Sequence, residues 1–223
     1  MMNSLLLKLS DEKMYSREEL LRIYRKEYNN LNESTFRWTL FNMLQKQQLF
    51  HYGYDSYVTV KPDALPAYKP YYSDRAVSLI RALDNKYPNL SFVVFESILL
   101  NEFLNHQIAQ NTIYVQVEKD VSAYIFDCLR DAYPDTVILY KPSKKEFEKY
   151  WVKNCIVVLD LISQCPVSKL TPHEVLIEKL MVDMVAEKSI SLTFSPSEIS
   201  SVYKNIKRSF HVDIRKLNRY ASR

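Results

Sequence analysis

An α/β fold, α+β over the whole chain, is what these 223 residues predict. Three observations point there. Two short capped helical patterns run into an aromatic-rich hairpin pattern built around the only glycine, Gly53. Three prolines then fall within Lys61–Pro70. Beyond them, apolar strand runs alternate with amphipathic helical runs, which predicts helices packed on a central, mostly parallel or mixed sheet. The expected division is a small domain over 1–61, a Pro-rich linker over 62–72, and an α/β domain over 73–223 with a helical C-terminal third.

The N-terminal elements follow in order. Ser16-Arg17-Glu18-Glu19 has the form of a capping box, in which the hydroxyl caps the helix and the Glu reaches back. The helix it starts runs to about Tyr28, with Leu20, Leu21 and Tyr24 on one face. Asn29 to Asn32 reads as a turn, with Asn32 as the next cap. The second helix covers roughly Glu33 to Gln47. Phe36, Leu40 and Leu44 recur at i, i+4 and i+8 beside Met43, so that stripe should face a core. Ser34, Thr35, Arg37, Trp38, Asn42, Gln45 and Lys46 fall to other faces, although Trp38 also suits a core position. Gln48 to Val60 reads as two strand runs turning at Gly53, a residue that reaches positive φ without strain.

Helix, helix, hairpin is the order of a winged helix-turn-helix. In such proteins the start of the second helix reaches base edges in the major groove. Ser34, Thr35 and Arg37 hold those positions here. Arg can meet guanine through two hydrogen bonds, and Ser or Thr can contact bases or phosphates. Asn42, Lys46 and the wing residues His51 and Tyr54 complete the expected DNA-binding set. Winged helices also serve as protein-interaction modules, so that alternative stands beside DNA binding.

After the linker, helices are expected at 74–87, 96–106, 120–132 and 144–151, and strands at 90–95, 112–118, 136–140 and 155–161. The strand runs are rich in Val, Ile and Phe, as strands buried on both faces are. Thr171-Pro172-His173-Glu174 and Ser195-Pro196-Ser197-Glu198 share one grammar of hydroxyl cap, Pro and Glu, and read as helix starts. Ser143-Lys144-Lys145-Glu146 repeats it without Pro. Glu174/Glu178 and Lys179/Asp183 are i, i+4 pairs, and the second is expected as an exposed or half-buried salt bridge. His173 is expected exposed in a first helical turn.

Composition closes off several function classes. A single glycine cannot supply a loop that cradles phosphate with backbone N–H groups, and no Ser sits in a G-x-S-x-G elbow. The four histidines have no metal-ligand spacing, and Cys128, Cys155 and Cys165 are unpaired in spacing and apolar in context. Buried reduced thiols in a cytoplasmic protein are expected, with no metal and no cofactor. Glu96, Glu118, Lys119, Asp120 and Asp160 are the candidates for a nuclease-like centre, but no compact Asp/Glu…Glu-x-Lys arrangement follows a strand. Ion pairing or helix capping is the expected role of each, and no catalytic residue is assigned. No apolar run approaches the roughly 20 residues of a membrane span. The net charge of +4 is mild, yet Lys204 to Arg223 holds seven basic residues and one acid. Lys204, Lys207, Arg208, Arg215 and Arg219 are therefore candidates for phosphate or partner contact, a solvated helix face being the alternative.

The order of winged helix, Pro-rich linker and α/β domain resembles the antitoxins of AbiE-type (type IV) toxin–antitoxin and phage-resistance systems, in a bacterial branch encoded beside nucleotidyltransferase-like toxins. The segments that carry the resemblance are Tyr68-Lys69-Pro70, Phe95-Glu96-Ser97 with Leu100-Asn101, Val115-Gln116-Val117-Glu118-Lys119, Tyr140-Lys141-Pro142-Ser143, Glu178-Lys179-Leu180-Met181-Val182-Asp183 and Arg219-Tyr220-Ala221-Ser222-Arg223. They span most of the chain, and the last two are the most specific. The resemblance implies a transcriptional autoregulator that binds operator DNA through its N-terminal domain. It also implies a C-terminal domain that counteracts a nucleotidyltransferase-like toxin, not necessarily through a tight complex, and it supplies no catalytic residue. One departure is the wing, which carries Tyr and His where related wings are Gly-rich and strongly basic. The rival reading is a nucleic-acid-processing enzyme with an endonuclease-like α/β domain.

Overall fold

A computed structural model describes residues 6–9, 14–28, 32–52, 56–61, 65–104, 106–191 and 195–222. In chain order the elements are α1 (Arg17–Glu27), α2 (Glu33–Gln45), β1 (Phe50–His51), β2 (Tyr57–Val58), α3 (Asp74–Lys86), β3 (Phe92–Glu96), β4 (Thr112–Glu118), α4 (Ser122–Ala132), β5 (Ile138–Tyr140), α5 (Lys144–Tyr150), β6 (Cys155–Leu161), α6 (Ile177–Ala186), α7 (Lys188–Ser191), α8 (Pro196–Ser209) and α9 (Ile214–Ala221). Short 3-10 turns cover Leu6–Lys8, Ser97–Glu102 and Lys119–Val121. The molecule is mixed α/β, with a mixed four-stranded sheet and C-terminal helices.

The chain separates into two compact units. The first comprises Met1–Lys69, Asn101–Gln107 and Ser200–Val212, and the second Pro70–Leu100, Ile108–Ile199 and Asp213–Arg223. The helix α8 therefore changes unit near its first turn.

In the first unit, α1 starts from the Ser16 capping box and α2 from Asn32, whose side chain accepts from the Thr35 N–H. Leu20 and Tyr24 of α1 meet Phe36, Leu40, Met43 and Leu44 of α2 in one buried cluster. β1 and β2 pair antiparallel, Phe50 opposite Val58 and His51 opposite Tyr57. The turn at Gly53 lies outside the described residues, as do Tyr54 and Arg223. Tyr15 adds a bridge that hairpin reasoning omitted: it exchanges backbone hydrogen bonds of 2.9 and 2.8 Å with Tyr57. The order is thus short helix, bridge, helix, helix, hairpin, that of a winged helix. Its hairpin is closed from below by later chain: Phe210 packs its ring 4.1 Å from His51, 5.1 Å from Tyr68 and 5.9 Å from Phe103.

In the second unit the strand order is β3-β4-β6-β5, with β3 antiparallel to β4 and the other pairs parallel. One face carries Phe92, Val94, Ile113, Val115, Val117, Ile156 and Val158, packed with Leu79 and Leu83 of α3 and Ile125 and Leu129 of α4. The opposite face meets α6 and α7, because Gln116 donates to Asp183 at 3.1 Å and the Tyr114 hydroxyl donates to the Ser189 carbonyl at 3.2 Å. Covering both faces explains why β4 and β6 are largely apolar, with Gln116 the polar exception on the α6 side of β4. Burial pushes the Tyr114 hydroxyl well above the ordinary tyrosine range.

Three expectations change. Residues 97–102 form a 3-10 turn in place of an α-helix, pinned where Ser97 accepts from the Thr112 N–H at 2.9 Å. Thr171–Glu174 starts no helix. Glu174 instead bridges Val94 in parallel, the Val94 N–H donates to the His173 carbonyl, and α6 begins only after Leu176. His173 is accordingly half-buried, its ring stacked 3.8 Å from that of Phe92 and its Nε2 3.1 Å from Asp84. The docked edge of β3 takes up the polar groups that a helix start would have used. Finally, Lys179 and Asp183 form a pair that is fully buried, not exposed. Tyr220 donates to Asp183 at 2.8 Å and lies 3.1 Å from the Lys179 ammonium, completing the network with Gln116.

Candidate nucleic-acid interface

Among the described residues, one side of α2 is exposed at Ser34, Trp38 and Lys46 and half-exposed at Thr35 and Asn42. Phe36, Thr39, Leu40, Phe41, Met43 and Leu44 are buried. Ser34, Trp38 and Asn42, spaced by four, form the outward stripe, with Thr35 and Lys46 beside it. Trp38 is 50% exposed, which settles its position on the surface. Four of the expected DNA-contacting residues, Ser34, Thr35, Asn42 and Lys46, share this side.

The N-terminal turn of α2 is tightly organised. Asn32 Oδ1 accepts from the Thr35 N–H at 2.9 Å, from the Thr35 hydroxyl at 2.8 Å and from the Ser34 hydroxyl at 2.6 Å. The acceptor satisfies a helix N–H that has no partner within the helix. It also holds both hydroxyls in one place, each already using its hydrogen to donate to Asn32.

Arg37 is placed differently from the expectation. Its guanidinium donates to Glu33 at 3.1 Å, and Arg17 of α1 donates to the same carboxylate oxygen at 3.2 Å. Both arginine side chains are only 12% exposed, and Arg17 also lies over the Phe36 ring. Burial works to raise the Glu33 carboxyl, but the two guanidinium charges and their hydrogen bonds outweigh it and hold it below the ordinary glutamate value. Arg37 thus locks the corner between α1 and α2.

His51 is a correction. It is 7% exposed, with its ring 4.8 Å from that of Tyr57, and Nε2 3.2 Å from Glu102. A side chain enclosed on both sides cannot reach a DNA backbone. The segments that cover it, residues 101–107 and 200–212, join the unit from far along the chain, which no local pattern reveals.

The basic C-terminal run is divided. Lys204, Lys207 and Arg208 are exposed on α8 in the first unit, whereas Arg215 and Arg219 are exposed on α9 in the second. Lys204, Lys207 and Arg208 share one helix face by their i, i+3, i+4 spacing. Arg208 reaches α2 directly, donating to Gln45 Oε1 at 2.6 Å. Gln45 precedes Lys46, so the basic face of α8 is tied to the end of α2. That contact was not legible in the sequence, where 163 residues separate its partners.

In the second unit two of the nuclease-like candidates, Glu96 and Asp160, are held in hydrogen bonds within the fold, whereas Glu118, Lys119 and Asp120 are exposed. Glu96 is fully buried and accepts from the Ser73 N–H and hydroxyl at 2.7 Å each, holding the residue that caps α3. Asp160 accepts from Ser122 and pairs with Lys141, both at 2.7 Å. Among the described residues no group of three or more His, Cys, Asp or Glu side chains converges as a metal site. Cys155 is buried and Cys128 and Cys165 half-buried, and none forms a disulfide. No described helix is long and apolar enough to cross a membrane.

Residues 35–223 match the DUF6577 family, described as a family of unknown function, and the chain belongs to it. No curated protein and no solved structure matches the chain.

Proposed function

We propose that this member of the DUF6577 family is a cytoplasmic transcriptional regulator that binds double-stranded operator DNA through α2. The observation that carries the reading is the outward stripe Ser34, Trp38, Asn42 on the second helix of a winged helix. That helix enters the major groove in helix-turn-helix proteins. Asn42 suits adenine, whose N6 and N7 match a carboxamide edge. Ser34 and Thr35 suit phosphates or base edges at the helix start. Lys46, with Lys204 and Lys207 of α8, supplies the charge that fixes a protein on the duplex without reading sequence. The role of antitoxin to a nucleotidyltransferase-like toxin rests on the sequence resemblance and is part of the same proposal.

Fluorescence anisotropy with the DNA upstream of the chain's own gene tests the interface. Asn42→Ala should weaken operator binding by about 1–3 kcal/mol and leave non-specific binding unchanged, because a lost base contact affects only the specific site. A Ser34→Ala/Asn42→Ala/Lys46→Ala variant that binds operator as tightly as the parent overturns it. Co-expression with the adjacent gene's product tests the antitoxin role, which fails if growth is arrested equally with and without this chain.

A second reading is favoured by Trp38. Tryptophan is concentrated at the energetic centres of protein interfaces, so a half-exposed Trp on α2 also suits a protein partner. That reading expects no DNA retention at low salt and a stable complex that Trp38→Ala abolishes.

A further inference from the structure

The first unit contains a cavity of about 330 Å³ between the end of α2, β1 and the last turn of α8. The volume lies at the lower end of small-molecule sites. Leu44, Leu49 and Leu65 give it an apolar wall, and Lys61 and Arg208 stand in the same wall. No carboxylate is among its described lining residues. Glu102 stands behind the wall, 3.2 Å from Nε2 of the lining residue His51. Arg208 bonds the neutral side-chain carbonyl of Gln45, and no ion pair joins it to a carboxylate among the described residues. The cavity therefore combines a greasy wall with two cations.

The end of α2 forms one edge of the cavity. α2 ends with Gln47 at φ 55°, the left-handed region that favours glycine, and Gln47 lines the cavity. The Gln48 N–H donates to the Met43 carbonyl and the Gln47 N–H to the Leu44 carbonyl, the paired bonds of a Schellman ending. A non-glycine residue in that conformation stores strain of order 1–2 kcal/mol.

We infer that this cavity binds a small amphiphile with one anionic group on an apolar body, of the class of aromatic or medium-chain carboxylates. The apolar body lies against Leu44, Leu49 and Leu65, and the anion meets Lys61 and Arg208. The inference does not depend on DNA binding, since every described lining residue belongs to the first unit.

Isothermal titration calorimetry with indole-3-acetate, octanoate and the neutral indole-3-acetamide tests it on the full chain. Each carboxylate should bind one site per chain with Kd below about 1 mM, and the amide should bind at least about tenfold more weakly. Lys61→Ala, at an exposed position, should weaken both carboxylates about tenfold and leave the amide unchanged. Ser209→Phe, which fills the cavity, should abolish binding while keeping the parent's thermal midpoint, and Leu65→Trp on the exposed rim takes its place if that variant does not fold. The inference is overturned if neither carboxylate saturates by about 10 mM. Equal binding of acid and amide overturns it too, as does undiminished binding in the folded cavity-filling variant.

Discussion

The Lys179 ammonium donates to the Asp183 carboxylate one turn further along α6, and the lysine side chain has no solvent exposure. Tyr220 of α9 bonds the same carboxylate, so the C-terminal helix is fastened to α6 through a buried charge pair. Glu178 adds a second fastening, accepting from the Asp213 N–H at 2.8 Å where α9 begins. Two charges taken out of water cost several kcal/mol each, and only close mutual contact with further hydrogen bonds offsets that.

Lys179→Met should therefore destabilise the protein by about 3–5 kcal/mol, because Asp183 is left buried and uncompensated. Lys179→Met/Asp183→Leu combined with Tyr220→Phe and Gln116→Met should recover most of that loss, since apolar side chains of similar volume remove both desolvation costs and leave no buried donor without its acceptor. Tyr220→Phe should cost about 1.5–3 kcal/mol, the worth of a hydrogen bond to a charged group, and should expose the C-terminal segment to proteases first. Urea unfolding read by circular dichroism gives all three values. A combined variant as unstable as the single one would show that the charged network is net stabilising here.

The same pair shows what the sequence can and cannot reveal. Spacing by four identifies Lys179 and Asp183 as neighbours, but depth depends on Tyr220, 41 residues away, and on Gln116 of β4. The segments Glu178–Asp183 and Arg219–Arg223, singled out as the most specific carriers of a family resemblance, meet in this network through Lys179, Asp183 and Tyr220. The four strands and the capped helices were legible because their signals are local: apolar runs, hydroxyl caps and the Ser16 capping box. The candidate interface was legible only in part. The outward stripe of α2 follows from helical period, whereas the burial of His51 and the engagement of Arg37 depend on side chains that arrive from elsewhere in the fold. Trp38 went unassigned because period alone cannot say whether a Trp beside a core stripe turns in or out.

Glu33 makes stability depend on acid. Its folded value is held below the ordinary carboxylate range by Arg37 and Arg17 despite burial. A group depressed on folding contributes stability at pH above its unfolded value, and the contribution is lost as pH falls through the folded one. The first unit should therefore loosen below the usual carboxylate range, and Glu33→Gln should flatten that part of the stability curve. Thermal midpoints of parent and variant measured from neutral to acid pH check this. Parallel curves for the two proteins would remove Glu33 from the explanation.

Gln47 predicts a gain. With a single glycine in the chain, left-handed positions fall to Gln47, Lys141, Asn154 and Gln164 among the described residues. Gln47 ends α2, where glycine is the usual residue. Gln47→Gly removes a backbone cost of about 1–2 kcal/mol and returns part of it as unfolded-chain entropy. A net stabilisation of up to about 1 kcal/mol is expected, read as a raised urea midpoint with unchanged slope. A lowered midpoint would mean that the Gln47 side chain contributes more than its backbone costs.

Arg37 and Lys46 separate folding from recognition. Arg37 is enclosed and paired with Glu33, while Lys46 is exposed at the end of α2. Arg37→Ala strips one of two cations from a partly buried carboxylate and uncovers the corner of α1 and α2, so it should lower the unfolding midpoint. Any loss of DNA binding it causes should then track the fraction folded. Lys46→Ala should leave the midpoint unchanged and weaken binding about equally for all DNA sequences. It should also reduce the slope of log affinity against log salt by about 1, as removal of one phosphate contact does. Anisotropy titrations at several salt concentrations, paired with melts of each variant, measure both effects. If Arg37→Ala keeps the parent's midpoint yet loses operator binding selectively, Arg37 reads bases and its pairing with Glu33 gives way on the duplex.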